Sequence, residues 1–374
     1  MRPESAALRP TVVEVSLARL ADNFRAIQAV VAPAAVMPIV KANAYGHGII
    51  EVARHLVTLG AASLGVAFLE EAVMLREAGI HLPILVMGGI FGDQLPVFLR
   101  HGLTVTASSI DKLRHIDDTA REMGVTAKVH LKIDTGMERI GVHYYNAQGL
   151  LERAAGCRHA NVEGIYSHFA NSDDADLTSA RTQLSRFLDV LQWYDKQGAP
   201  PPVRHIANSG AILQMPESHL DMVRPGILLY GVYPAAEVRR TIAVQPALSW
   251  KSRVVYFKVV APDHPVSYGS TWRSDHPVRV VTVPVGYGDG YFRALSNVSH
   301  VIIRGTRYPV VGRVCMDQIM VNIEWGTAYN GDEVVLLGAD GEAVITCEDL
   351  AAWAGTIPYE ILTNINTRVP RVYV

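Results

Sequence analysis

VMPIVKANAYGHGIIEVARHLVTL, running from Val36 to Leu59, is one complete strand–turn–helix unit. Val36 to Val40 is apolar at every position, as a strand covered on both faces should be, and Ile49 to Leu59 has the spacing of an amphipathic helix. The same alternation recurs outward along the first part of the chain. Further short apolar runs lie at Ser63 to Ala67, Ile84 to Met87, Leu103 to Ala107, Ala127 to Ile133, Val162 to Ser167, Val203 to Ala207 and Met222 to Arg224. Helical spacing fills the gaps at Leu69 to Ala78, Ile110 to Met123 and Leu177 to Lys196. In the first of these, Glu70, Glu71, Arg76 and Glu77 are assigned to the solvent side. Eight strands with helical crossovers predict a closed (β/α)8 TIM barrel rather than an open doubly wound sheet.

After about residue 240 the texture changes to β-rich runs broken by Gly, Pro and Asp, with the boundary near Ala235 to Val244. Strands are expected at Trp250 to Val260, Val278 to Val285, Val301 to Ile303, Val310 to Val314, Ile319 to Ile323 and Glu333 to Leu337, with a helix at Glu348 to Ala354. The fold class is therefore α/β: an N-terminal barrel over residues 1–240 and a mostly β C-terminal domain over residues 241–374. Residues 1–12 are expected to pair with the second domain.

The chain has 374 residues, 49% of them hydrophobic and 19% charged, enough for two globular cores. Its 34 basic and 36 acidic residues give a formal charge of −2, which leaves no electrostatic footprint for nucleic acid and no polybasic membrane anchor. The longest apolar stretch, Ala29 to Val40, is interrupted by Pro33 and Pro38 and falls short of the ~20 residues that span a bilayer. Met1 to Pro10 carries Arg2, Glu4 and Arg9 without an apolar h-region, so no secretory signal is expected. Cys157, Cys315 and Cys347 are odd in number and lack CxxC spacing. They fit the reduced thiols of a cytoplasmic protein and supply no metal framework.

Barrels of this kind carry their chemistry just past the C-terminal ends of the strands. There the sequence places Lys41 to Gly48, Lys132 with Asp134 to Gly141, His168, Asn208-Ser209-Gly210 and Arg224-Pro225-Gly226-Ile227. Lys41 ends the long apolar run and is one of only seven lysines. Desolvation at a barrel mouth lowers the pKa of an amine and frees it for Schiff-base chemistry with a carbonyl. Taken singly, a lysine snorkelling on the rim is the commoner reading. Asn208-Ser209-Gly210 suits either a helix N-cap or a phosphate-binding turn, and one segment can serve both.

Together these segments resemble the alanine racemase family. The resemblance begins with Val40-Lys41-Ala42-Asn43-Ala44-Tyr45-Gly46-His47-Gly48 and continues through Lys132 to Gly141, Tyr166 to Ala170, Asn208 to Gly210 and Arg224 to Gly231. It extends through Ser267-Tyr268-Gly269, Gly286 to Asn297, Gly312 to Gln318 and Pro358-Tyr359-Glu360. It implies a pyridoxal-phosphate isomerase that interconverts L- and D-alanine, supplying D-alanine for peptidoglycan.

By this resemblance Lys41 holds the cofactor as an imine and acts as one base, with Tyr268 as the base on the opposite face. Two bases flanking a planar carbanion are what inversion requires, since one base tends to return the proton to the side it left. A phenol needs cationic or hydrogen-bonding neighbours to act near neutral pH, and His168 and Arg224 are the candidates. Arg224 faces the pyridine nitrogen, and because guanidinium only donates, that nitrogen stays unprotonated and transamination is restrained. Tyr45, His168, Asn208, Ser209, the backbone of Gly226 and Ile227, and Tyr359 complete the cofactor set. Arg139 and the Met316 backbone take the substrate carboxylate.

Lys128, His130 and Lys132 share one face of their strand. A buried Lys132 beside Arg139 needs a negative charge, and the equivalent family lysine is often carbamylated. The same resemblance implies that Asp317, Tyr287, Arg293 and Arg313 support or line the entrance, and that Tyr268 reaches Lys41 of a second copy in a homodimer with shared sites. Glu138 departs from the pattern, where a glycine is expected. It could turn outward, compete for Arg139 or alter the loop. Rival readings are a broader-specificity amino-acid racemase, a fold-related pyridoxal-phosphate decarboxylase, and a noncatalytic cofactor carrier.

Overall fold

Strand β1 (Val12–Val15) and helix α1 (Leu17–Val31) open the computed structural model, which describes residues 9–374. Residues 1–8 carry much of the expected absence of a signal and part of the expected N-terminal pairing. They lie outside the described residues. The chain divides into two units, one of Ala21–Ala44 with Ile49–Val244, the other of residues up to Leu20 with Tyr45–Gly48 and Gln245–Val374.

The first unit is built on parallel strands β2 (Ala35–Val36), β3 (Leu64–Val66), β4 (Ile84–Val86), β5 (Thr104–Ala107), β6 (Ala127–Asp134) with its short neighbour β7 (Val142–His143), β8 (Ala160–Tyr166), β9 (Val203–His205) and β10 (Met222–Val223). β3, β4, β5, β6, β8 and β9 hydrogen-bond in that order, and β10 pairs with β2. Backbone bonds close the ring. Val40 donates to Gly65 and Gly65 to Pro38, joining the first strand to β3, while Asp221 donates to Arg204 and Arg224 to Ala207, joining β9 to the last strand. All eight expected runs thus become staves of one closed barrel, and every residue of β3, β4 and β5 is buried, as a sheet covered on both faces demands. Helices α2 (Ile49–Thr58), α3 (Leu69–Glu77), α4 (Leu95–Arg100), α5 (Ile110–Met123), α6 (Ala147–Ala155), α7 (Thr178–Gln197) and α8 (Ser209–Gln214) form the crossovers. α5 is stopped by Gly124 and α7 by Gly198, each in the left-handed conformation that ends helices. Among the described residues no helix is long and apolar enough to cross a membrane.

The second unit holds β11 (Leu248–Arg253), β12 (Tyr256–Val260), β13 (Val278–Val283), β14 (His300–Ile303), β15 (Thr306–Pro309), β16 (Ile319–Glu324), β17 (Glu333–Asp340), β18 (Ala343–Ile345), helices α9 (Cys347–Ala354) and α10 (Pro358–Asn364), and β19 (Arg371–Tyr373). One sheet runs β15-β14-β17-β11-β1-β19 with β18 on β17; β12-β13-β16 form another. The chain's N-terminal strand is therefore gripped by β11 and β19, Val13 lying opposite both Trp250 and Arg371.

Two expected strands differ. Trp250 to Val260 breaks into β11 and β12, which enter different sheets. Val310 to Val314 is not a strand beyond the single bridge of Val310 to Val321, the real strand lying upstream in β15. Gly312 sits at φ 73°, where a Cβ would meet the Ser267 side chain at 2.6 Å, so the backbone turns away from the ladder there.

Candidate active site

After Val40 the barrel chain does something few L-residues tolerate: Ala42, Asn43 and Ala44 take left-handed φ values of 52°, 55° and 53° in succession. Such a turn persists only if its surroundings hold it. Glu71 does so from the start of α3, accepting from the Ala42 N–H at 2.6 Å and, with its other oxygen, from the Ala67 and Phe68 N–H groups at 2.8 and 3.2 Å. Asn43 accepts from Ile49 N–H and starts α2. Lys41 is thereby fixed at the barrel mouth. Burial lowers its pKa, nearby Arg139 lowers it further, and Glu71 opposes them. Glu71, read from the sequence as a solvent-side residue, is a structural clamp. Its signal was its place three residues into a helix, where a carboxylate meets orphan N–H groups.

Arg224 lies wholly inside the barrel. Its Nη1 donates to His205 Nδ1 at 2.8 Å, and its Nη2 to the Ser167 and Ile206 carbonyls at 2.7 and 3.0 Å and to His168 Nδ1 at 3.2 Å. Among the described residues no carboxylate bonds it, and burial draws its pKa down to about 10, so it stays charged near neutrality. His168 is held neutral by burial and by the charge of Arg224. Tyr166 stacks on His205 with ring centroids 4.8 Å apart and bonds Thr106 through its hydroxyl. Burial pushes its phenol up to about 12, which fits a packing role rather than that of a base.

Lys132 is buried, donates to the Ile133 carbonyl and lies over the Tyr166 ring. Burial, then Arg224, brings its amine down to about 7, with Asp134 opposing. Asp134 is occupied elsewhere: its two oxygens accept from the N–H groups of Gly136, Met137, Glu138 and Arg139. That cradle shapes the loop carrying Arg139 and was not singled out from the sequence. Glu138 stands there at φ 53° and its carboxylate meets His143 Nε2 at 2.8 Å. Of the three fates open to Glu138, the outward turn is the one observed.

The ends of strands seven and eight meet through Ser209, whose Oγ accepts from Gly226 N–H at 3.0 Å and Leu228 N–H at 3.3 Å, with Ile227 between them. Asn208 is the N-cap of α8, accepting from Ala211 N–H and from Ser172 Oγ. Lys41, Arg139, Lys132, Arg224 and His168 are thus collected in the barrel unit.

In the second unit Tyr45 packs against Tyr359 at 6.2 Å between ring centroids. Gly46, at φ 82°, lies so close to α10 that a Cβ would stand 2.2 Å from the Leu362 carbonyl oxygen. Tyr268 is 69% exposed on a turn between Ser267 and Gly269, with Arg313 packed under Gly269 and accepting from Ser267 Oγ through its carbonyl. Met316 shares with Tyr268 a groove of about 890 Å³ that also reaches Lys258, His264 and Met320. Gly288 N–H donates to the Met316 carbonyl and Tyr287 N–H to that of Cys315. Arg368 bonds Asp317 at 2.8 Å and the fully buried Asp289 at 2.7 Å, and Asp289 also pairs with Arg9. Asp317 therefore belongs to an ion-pair chain bracing the Met316 turn, whose other members the sequence reading missed. Arg293 is exposed and opens a short turn, its carbonyl accepting from Ser296 N–H at 3.2 Å and from Ser296 Oγ.

The donor set at the barrel mouth is cationic, the carboxylates of Glu71 and Asp134 being spent on backbone N–H groups, and it includes a nucleophilic amine. A dianionic, aldehyde-bearing group fits such a set, and so does a carboxylate substrate.

The family model for the N-terminal domain of alanine racemase matches residues 15–234, and that for its C-terminal domain matches residues 247–373. An alanine racemase of Carboxydothermus hydrogenoformans is 44% identical over 98% of this chain and 100% of its own length. Among solved structures, alanine racemase from Streptomyces coelicolor A3(2) superposes with a TM-score of 0.94 at 37% identity, covering 99% of each chain. The Bartonella henselae alanine racemase with covalently bound pyridoxal phosphate superposes with a TM-score of 0.89 at 28% identity, covering 98% of this chain and 99% of that one. Full-length identity of this order, on a barrel whose mouth carries the signature lysine, makes the chain a member of the alanine racemase family.

Proposed function

We propose that this chain interconverts L- and D-alanine, with pyridoxal phosphate held on Lys41. When bound, the cofactor supplies a conjugated ring that stabilises negative charge developing at the substrate Cα. Everything else falls to the chain's own side chains. Lys41 carries the attachment and, once released, holds or yields a proton at Nζ. Its place on the clamped left-handed turn at the barrel mouth, where burial lowers its pKa, is the observation that carries this reading. Tyr268 Oη serves the opposite face. Arg224 donates to the ring nitrogen. His168 packs beside it, and Ser209, the backbone of Gly226 and Ile227, Tyr45 and Tyr359 take the phosphate, with Asn208 setting the start of α8. Arg139 forks onto the substrate carboxylate with the Met316 N–H, while Asp317, Tyr287, Arg293 and Arg313 brace or line the approach.

Lys132, with an amine near 7, is positioned to add to carbon dioxide, forming an N–C bond with loss of a proton. The carbamate would supply the negative charge that Arg139 and Arg224 lack. A CO2-sized mass increase on the Lys132 peptide supports this assignment; an unmodified peptide from bicarbonate-treated protein opposes it.

We assign Tyr268 to the Lys41 site of a second copy, in a cytoplasmic homodimer with shared sites. The barrel unit, Ala21–Ala44 with Ile49–Val244, is the cofactor-binding domain, and the second unit carries the second base. Its exposed position on a broad groove supports this, and the three free cysteines suit a reducing compartment. Borohydride reduction should fix the cofactor on Lys41, with loss of the imine absorbance. Mixed Lys41→Ala and Tyr268→Ala chains should recover part of the activity that each lacks alone. A verified heterodimer without activity would remove the shared-site assignment.

A further inference from the structure

Two buried histidines stand behind Arg224 that the scheme above does not use. His205 Nδ1 is 2.8 Å from Arg224 Nη1, and His205 Nε2 is 2.9 Å from His130 Nδ1. A guanidinium has donors only, so His205 Nδ1 must accept. Its ring proton then sits on Nε2 and is donated to His130 Nδ1, which places the His130 proton on Nε2 as well. Two short contacts thus specify the tautomers of both rings.

The surroundings hold that arrangement. Tyr166 lies parallel to His205, 6° between ring planes, and Arg224 lies over the same Tyr166 ring at 5.3 Å. Opposite His130 the partner strand carries Gly164, where a Cβ would stand 2.5 Å from the imidazole, and the β6–β8 register shifts at that point. A glycine and a bulge make the room a buried histidine needs. Burial keeps His130 and His205 neutral. An Asp or Glu in place of His205 would neutralise Arg224; an imidazole orients it and leaves its charge intact.

We propose that His205 and His130 are positioning residues forming a two-imidazole relay that fixes the plane of Arg224 and preserves its full positive charge for the ligand in the barrel mouth. The relay rests on the reading that Arg224 faces the cofactor ring nitrogen. Its consequence is reaction fidelity: a well-placed Arg224 keeps protons at Cα, whereas a loosened one raises the fraction of turnovers in which alanine and the cofactor aldehyde end as pyruvate and the cofactor amine.

The test combines two readouts on the cofactor-loaded protein. Two-bond ¹H–¹⁵N spectra should show both rings neutral and protonated on Nε2. His205→Leu should raise pyruvate formed per racemisation about tenfold, with the alanine KM within about twofold. His205→Asn returns an acceptor at the Nδ1 position and should restore most of the fidelity. His130→Phe, which leaves the Arg224 contact in place, should give a smaller rise and stands in if His205→Leu does not fold. A proton on His205 Nδ1, or unchanged pyruvate partition in the folded His205 and His130 variants while Arg224→Lys alters it, overturns the relay and leaves the Arg224 reading intact. Unchanged partition in Arg224→Lys as well overturns that reading itself.

Discussion

At Lys132 the cost of burying an amine can be given a sign. Its folded pKa of about 7 lies below the ordinary value of 10.5, so between those values the unfolded chain binds a proton that the folded chain does not. Stability therefore falls as pH drops from 10.5 to about 7, and the penalty is fully present below that. Lys132→Met should stabilise the protein in CO2-free buffer by ~1–3 kcal/mol at pH 6, with the gain shrinking toward pH 10. Urea titrations at the two pH values measure it. Bicarbonate should stabilise the parent and not the variant. Glu138 gives the opposite kind of expectation. Its carboxylate pairs outward with His143, away from Arg139, while its backbone holds a conformation that glycine adopts freely. Glu138→Gly should leave kcat/KM for alanine within about twofold and raise stability by ~0.5–1 kcal/mol. A tenfold loss of kcat/KM would show that the carboxylate does serve the Arg139 loop.

Among the elements, the segment from Val40 to Ile49 carries the most stored conformation, and its restraint comes from the first turn of another helix. Glu71→Ala leaves the N–H groups of Ala42, Ala67 and Phe68 without their acceptor, and should cost ~1–3 kcal/mol in urea unfolding. The same change should lower kcat by about tenfold, since Lys41 loses its anchorage. Glu71→Gln, which keeps one acceptor oxygen, should fall between. The sequence disclosed the staves of the barrel because a strand buried on both faces must be apolar throughout. It disclosed Lys41 because a cation ending such a run has little reason to be there. It hid Glu71 and His205, whose work is to accept from N–H groups of Ala42 and Arg224 that only tertiary structure brings near, and it hid Asp134 because the loop that folds four N–H groups onto one carboxylate has no periodicity to announce it. The break between β11 and β12 was hidden for a related reason: both halves are strand-like, and only their pairing partners differ.

On the scale of the whole molecule, the amine and the phenol belong to different units of the chain, Lys41 with the barrel and Tyr268 with the second unit. Assembly of the working site is therefore the step on which the proposed chemistry depends, and the mixed-chain experiment addresses it. The chemistry itself turns on two bases serving opposite faces of one carbon. The most direct test incubates Tyr268→Phe with L-alanine and, separately, D-alanine in D2O, following deuterium at Cα and the appearance of the other enantiomer. The account predicts that racemisation drops at least ~100-fold, while deuterium still enters one enantiomer from the Lys41 side. Racemisation near the parent rate, or equal exchange into both enantiomers, would contradict it.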